Sequence, residues 1–362
     1  MSYEFAQGLE GAAHLILDNR PGVRGQHLDR SRFDEMTLDN NCCMDMQERI
    51  KFRGGSYIFE HWNYLALVLC SQFFVNLTVS AQPTTSPKGW FQTFEGGGSH
   101  QFSSDIDSGG DFEVSRFLAR ASIGYRSDYL NSTSFSFGYA NTAYNFNELS
   151  GFGGLDPWDS IHTVSLSAPI RRGIGDRWML LAIPSVRVIA EDNGDFGQAI
   201  VGGGIAGMSY NIRPGLSIGP GFGFLTQIED SVNFFPILLV DWAFSDHWKL
   251  QTGRGFGASQ GPGLVLSYSM SESWELLLGG RFERFRFRLN ENGPNPNGVG
   301  EDRSASVSLG ARYAVNNIGY VTIYGGVNMV GEFLIDDSSG NELFSSDYQS
   351  APSVGFNATF RF

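Results

Sequence analysis

The densest run of chemistry-bearing side chains is Arg281-Phe-Glu-Arg-Phe-Arg-Phe-Arg288, which sets Arg281, Glu283, Arg284, Arg286 and Arg288 one or two residues apart. A guanidinium is a planar fork of donors that grips phosphate or carboxylate through two parallel hydrogen bonds. Arg284, Arg286 and Arg288 are therefore candidates for contact with lipid phosphates, and pairing of these arginines with Glu275, Glu283 or Glu301 is the competing use. A second set of charges is spread over several segments: Arg116, Arg120, Asp241, Lys249, Glu275, Arg281, Glu283, Arg312 and Arg361, with Gln251, Asn357 and Thr359. On one wall of a water-filled bore they would create a field that orients polar solutes, and interlocked as salt bridges they would plug the bore. Both uses stay open at this level.

Nucleophilic catalysis needs a base beside a nucleophile. After residue 81 the histidines are His100, His162 and His247. His162, near Ser160 and Asp159, is the one a hydrolase would use with a serine on a neighbouring strand, yet no G-x-S-x-G supports it and no catalytic residue is assigned. Gly202-Gly-Gly-Ile-Ala-Gly207 has G-x-G-x-x-G spacing, but its flanks continue as strand, where the motif requires a following helix. Asp336-Asp-Ser-Ser-Gly-Asn-Glu342, and more weakly Asp192-Asn-Gly-Asp195, offer oxygen ligands for calcium but read as plain turns. No metal or cofactor is expected.

The elements that would position these groups are strands. Ala305, Val307, Leu309, Ala311, Tyr313 and Val315 alternate with Ser304, Ser306, Ser308, Gly310 and Arg312. Val354, Phe356, Ala358, Phe360 and Phe362 alternate likewise with Gly355, Asn357, Thr359 and Arg361. A period of two places alternate side chains on opposite faces of a strand. Similar runs recur from residue 112 onward, and helical spacing hardly occurs. The face opposite the apolar one is small and hydrated, as a lumen requires. Aromatics recur near strand ends, at Tyr125, Tyr139, Trp178, Trp242, Trp248, Tyr268, Trp274, Tyr313 and Tyr320, where amphipathic rings suit a membrane interface.

Composition narrows the partners. With Lys+Arg 25 against Asp+Glu 38 the chain carries a formal charge of -13, which argues against nucleic acid. Only Tyr64 to Ala81 is a long apolar run. With Arg49, Lys51 and Arg53 before it and Val-Ser-Ala81 at its end, it reads as a secretory signal. Residues 46–81 are thus expected to be a signal peptide starting at Met46, and residues 1–45 a disordered extension upstream of the true start. Cys42, Cys43 and Cys70 all precede the expected cut, which would leave the mature chain without thiol chemistry.

The ending Phe356-Asn-Ala-Thr-Phe-Arg-Phe362 resembles the assembly signal of bacterial outer-membrane β-barrels, with Phe356, Phe360 and Phe362 as its apolar positions. Arg281 to Leu289, followed by Gly298-Val-Gly-Glu-Asp302, is similar to an uncharacterised outer-membrane barrel family of unknown function, a likeness that spans roughly residues 98–362. The resemblance implies the cell outer membrane, the barrel-assembly machinery and outer-membrane lipid as partners, and no catalytic residues. Together these readings predict an all-β, transmembrane, antiparallel up-and-down barrel over residues 98–362, preceded by a short periplasmic segment at 82–97. Thirteen alternating segments are legible, and parity requires an even number. His100 to Asp107, with Phe102, Ser104 and Ile106 on one face, supplies a fourteenth strand; twelve is the alternative. The expected function is a passive porin-like channel for small polar solutes. A structural or surface-interaction barrel with a plugged lumen is the first alternative, and a membrane-embedded hydrolase the second.

Overall fold

The computed structural model describes residues 88–228, 232–253 and 263–362. The expected extension, the signal peptide and the three cysteines lie outside the described residues. Alternation becomes sixteen strand segments among the described residues: β1 (Gly89–Asp105), β2 (Asp111–Arg126), β3 (Ser132–Asn147), β4 (Ser160–Ser167), β5 (Ile170–Ile174), β6 (Trp178–Glu191), β7 (Ile200–Arg213) and β8 (Leu216–Thr226). The series continues with β9 (Val232–Ala243), β10 (Trp248–Gly253), β11 (Gly263–Ser269), β12 (Trp274–Arg288), β13 (Val299–Val315), β14 (Gly319–Asp336), β15 (Glu342–Tyr348) and β16 (Ala351–Arg361).

Sequential strands pair antiparallel, and β1 pairs with β16 from Thr93↔Arg361 to Gln101↔Ser353, which closes the sheet. β4 and β5 are two halves of one wall strand, interrupted at Ala168-Pro169, where proline has no N–H for the ladder. β15 and β16 are likewise halves of one strand, so the wall has fourteen strands. Closure follows from the solvent. In hydrocarbon each unpaired backbone group costs several kcal/mol, and a cylinder leaves no edge unpaired.

The outer face is apolar. Phe117, Ile123, Phe135, Phe137, Phe222, Phe234, Leu238, Leu309, Ile323 and Phe356 all stand exposed there. A girdle of aromatic pairs rings the short-turn end: Trp90–Tyr125 at 5.6 Å, Trp178–Tyr210 at 4.7 Å, Trp248–Tyr268 at 4.8 Å and Trp274–Tyr313 at 5.0 Å between centroids. An apolar band ended by such a girdle is what a lipid bilayer selects. The chain is a membrane-spanning barrel of the outer membrane. Phe356 and Phe360 face outward on β16. Phe362 exchanges two backbone hydrogen bonds with Gln92 and sets its ring 6.2 Å from Phe94, so the terminal aromatic sits at the seam.

Three expectations change. The first strand begins at Gly89, so residues 89–97, expected in a periplasmic segment, form half of β1. Phe102 faces lipid while Ser104 and Ile106 face inward, because a bulge between Gln101 and Ser104 reverses the phase. The β12–β13 register runs unbroken from Trp274↔Tyr313 to Arg288↔Val299, so Phe282 faces lipid while Phe285 and Phe287 face inward. Tyr320, expected at the interface, faces the lumen beneath the Arg312 guanidinium at 4.5 Å.

Candidate functional site

Registers place every charge expected in the lumen on the inner face: Arg116 and Arg120 on β2, Asp241 on β9, Lys249 on β10, Glu275, Arg281 and Glu283 on β12, Arg312 on β13 and Arg361 on β16. Most face a carboxylate. Arg120 meets Glu95 at 2.7 Å, Arg312 meets Glu275 at 2.9 Å, Lys249 meets Asp241 at 3.1 Å and Arg281 lies 3.8 Å from Glu283. Arg361 lies over the ring of Phe91 at 5.7 Å. Arg126 on β2 lies over the same ring at 5.4 Å, so two inward arginines stand together at the seam without an ion pair among the described residues. Arg116 reaches Asp302 at 3.4 Å, and the same carboxylate accepts hydrogen bonds from Tyr144 at 2.8 Å and Tyr348 at 2.7 Å. Sequence reading missed this network, because a tyrosine on β3, one on β15 and a carboxylate on β13 share no spacing.

Above that network the interior is solid. Ile106, Phe112, Val114, Tyr144, Phe146, Trp158, Ile161, Ile189, Phe287, Leu289, Phe333, Ile335 and Tyr348 form one buried cluster at the long-loop end. Trp158 stands edge-on to Phe287 and Phe333 at 5.1 Å each. Burying an aromatic or aliphatic side chain of this kind is worth about 1.5–3 kcal/mol.

The plug belongs to one side of the barrel. The ends of β6 and β12, which lie apart in strand order, meet in a parallel bridge at Arg288↔Ala190, followed by Gly194↔Asn290. Glu191 fastens this crossing by accepting hydrogen bonds from the Asn290 N–H at 2.8 Å and the Asp159 N–H at 3.1 Å. Arg288, only 2% exposed, donates to the carbonyls of Asn297, Gln198 and Ile228. The crossing splits the outer mouth. β12 to β16 and β1 to β6 wrap the plug, and β7 to β11 contribute nothing to it.

The lumen on that second side is apolar. The registers align Ile183, Ile205, Gly223 and Phe235 in one inward row, and Leu181, Gly207, Gly221 and Ile237 in the next. These apolar side chains are half-buried, and toward the outer end Val201, Ile228 and Val299 pack into a second, smaller buried cluster. Gly223 and Gly207 are required by close approach: a Cβ would collide with the Phe235 ring at the first and with Leu239 at the second. No charged side chain faces inward on β7 or β8 from Val201 to Ser209 and from Ser217 to Leu225, or on β9 from Asn233 to Leu239. In strand order this wall lies opposite β14, β16 and β1, which carry Thr322, Asn328, Asn357, Glu95 and Gln101 inward. Arg187, inward on β6 opposite Val201, is half-buried and has neither an ion pair nor a hydrogen bond among the described residues.

The arginine run divides by face. Arg284 and Arg286 stand on the Phe282 face of β12 and converge with Arg303 on the Glu301 carboxylate, itself fully buried, while Val299 on the same face of β13 packs with Val201 and Ile228. Arg286 also reaches Asp336 at 2.7 Å, and Arg303 reaches Glu332 at 3.0 Å. Arg288, expected with them at lipid phosphates, is instead inside the strand crossing, where backbone carbonyls use its fork.

His162 lies on the outer face. Its Nε2 is 2.7 Å from Asp192 and its Nδ1 2.8 Å from the Tyr139 hydroxyl, so neither nitrogen meets a serine. Ser160 instead accepts from Asn141 at 2.7 Å. Asp337 closes its own turn by accepting from Ser339 N–H and from Asn341 N–H and side chain. Those bonds, the Asn341 side chain first, hold its carboxyl below the usual range. Asp195 is held low in the same way by the N–H of Gly197 and the side chain of Gln198. Among the described residues no three potential metal ligands cluster. Gly202 to Gly207 lies within β7.

Several solved barrels are similar in architecture. The COG4313 outer membrane channel from Pseudomonas putida F1 is 10% identical over 78% of this chain and 100% of its own, with a TM-score of 0.43. A Pseudomonas aeruginosa FadL homologue is 11% identical over 75% of this chain and 90% of its own, also at 0.43. The translocator domain of autotransporter NalP from Neisseria meningitidis is 14% identical over 84% and 96%, at 0.32. Likeness at this level leaves cargo to be argued from the chain itself. No curated protein matches the sequence. A family model does match residues 128–362, and with that the chain belongs to the family described as a domain of unknown function, DUF6268.

Proposed function

We propose that this barrel is an outer-membrane channel whose passage runs along the β6–β12 side. The observation that carries this reading is the division of the interior. Aromatic packing fills the outer end of one side, while on the other side, below a smaller cluster of Val201, Ile228 and Val299, the inward side chains of β7 to β9 are half-exposed. The passage expected from sequence was hydrated and selective through its charges. Paired charges neutralise one another, and an apolar wall repays a solute that buries carbon against it. The reading supported here is therefore a passive channel for small organic solutes, more apolar than the small polar ones first expected. Purified full-length protein in a planar bilayer is expected to give discrete conductance steps.

A plugged structural barrel is the second reading, favoured by the Arg116–Asp302–Tyr144–Tyr348 network and the core above it. Electrical silence of a correctly folded sample would select it over the channel.

A further inference from the structure

The lumenal cations of this barrel are partnered in different ways: Arg126 and Arg361 lie over the Phe91 ring and Arg171 reaches the Met179 sulfur. Arg116, Arg120, Arg281, Arg312 and Lys249 each face a carboxylate. Arg187 stands on the same inner face without an ion pair or hydrogen bond among the described residues. A guanidinium withdrawn from bulk water without a partner is expensive, and the partner that removes the cost is an anion held by two parallel hydrogen bonds. Four residues along the same face of β6, about 13 Å at strand rise, stands Ile183. Ile183 begins the inward apolar rows of β7 to β9.

We propose that Arg187 and these rows form a binding site for an amphiphilic monocarboxylate, with the carboxylate on the Arg187 guanidinium and the aliphatic body against Ile183, Ile205, Phe235 and Ile237. The two halves select together. A small inorganic anion would leave the apolar rows facing water, and an uncharged alkane would leave Arg187 unpaired. The site also lies beside the plug, since Ile189, two residues on from Arg187, belongs to the packed cluster. An amphiphile held there lies along β7 to β9, below the smaller cluster of Val201, Ile228 and Val299. The inference rests on the channel reading only in placing the site along the passage, and binding itself is measurable without conduction.

The test uses the full chain in a nonionic detergent, with radiolabelled decanoate and radiolabelled decanol titrated separately by scintillation proximity. A heat-dependent mobility shift confirms that each variant is folded. Wild type is expected to bind decanoate saturably, with acetate a poor competitor. Arg187→Gln weakens decanoate at least about tenfold, equivalent to about 1.4 kcal/mol, and leaves decanol within about twofold. Arg187→Lys, which keeps the charge but loses the fork, falls between. Ile237→Ser weakens both ligands. Unsaturable decanoate binding, equal affinity in Arg187→Gln, or acetate competing as well as decanoate overturns the proposal. Conductance without decanoate binding sinks this inference and leaves the channel standing, whereas Arg187-dependent binding in a silent barrel does the reverse.

Discussion

Asp302 is the most exacting point at which to test the interior. Its carboxylate is 2% exposed and accepts from two buried tyrosine hydroxyls, at 2.8 and 2.7 Å, with Arg116 at 3.4 Å. Asp302→Ala removes one partner of a buried ion pair, which costs about 3–5 kcal/mol because the other charge is left uncompensated. The two orphaned hydroxyls lie within that figure, each costing about 1–3 kcal/mol when a buried donor loses its acceptor. Asp302→Asn keeps an oxygen for the tyrosines, and its loss is expected to be about half as large. The diagnostic variant is Arg116→Met combined with Asp302→Ala, which deletes both charges at once. Coupled groups deviate from additivity by about 0.5–3 kcal/mol, so the double variant is expected to be more stable than the sum of the singles by that amount. Equilibrium urea unfolding in detergent micelles, followed by tryptophan fluorescence, gives all four corners of the cycle. Strict additivity, or an Asp302→Ala loss below about 1 kcal/mol, would refute a coupled buried network.

Three other perturbations follow from the same architecture. Trp158→Ala leaves a hole among Tyr144, Phe146, Phe287 and Phe333. It is expected to cost about 3–5 kcal/mol in urea unfolding and to enlarge single-channel steps, and unchanged values in both would contradict a solid plug. Removing Phe362 deletes its paired hydrogen bonds to Gln92 and its contact with Phe94. The fraction of heat-modifiable barrel in isolated outer membranes should fall, and wild-type yield would show that the terminal aromatic is dispensable. Because the Asp337 carboxyl is held below its usual range, its turn is fully stabilised above the unfolded value and loosens as pH falls through the folded one. Amide protection at Ser339 and Asn341 should persist at about pH 5 and decline progressively as pH falls below the unfolded carboxyl value of about 3.9, whereas loss of protection already above that value would rule the carboxylate out as the tie.

How much of this could be read from residues alone depends on which solvent each face meets. Where one face meets lipid and the other water, the period of two is unambiguous. Segments such as Ser304 to Val315 and Val354 to Phe362 declare both strand and orientation, and the even-count rule recovers the strand at the seam. The signal fails where both faces are apolar. Phe285 and Phe287 fall on the face that Arg281 and Glu283 mark as a hydrated lumen, yet they pack into a buried aromatic core. β9 is the more informative failure. Phe234, Leu238 and Trp242 answer to lipid, but Phe235, Ile237 and Leu239 answer to no plug. A strand that is oily on its inner face with no packed core to meet it must face either water, at a cost of about 25 cal/mol for each Å² left wet, or a guest that carries carbon. That choice is local, and it was present in the run Phe234-Phe-Pro-Ile-Leu-Leu-Val240 before any fold was known. What the run could not supply was the position of Arg187, brought beside these rows only by pairing of β6 with β7. Charge and apolar surface come from segments about fifty residues apart in sequence, and only closure of the cylinder makes them one wall.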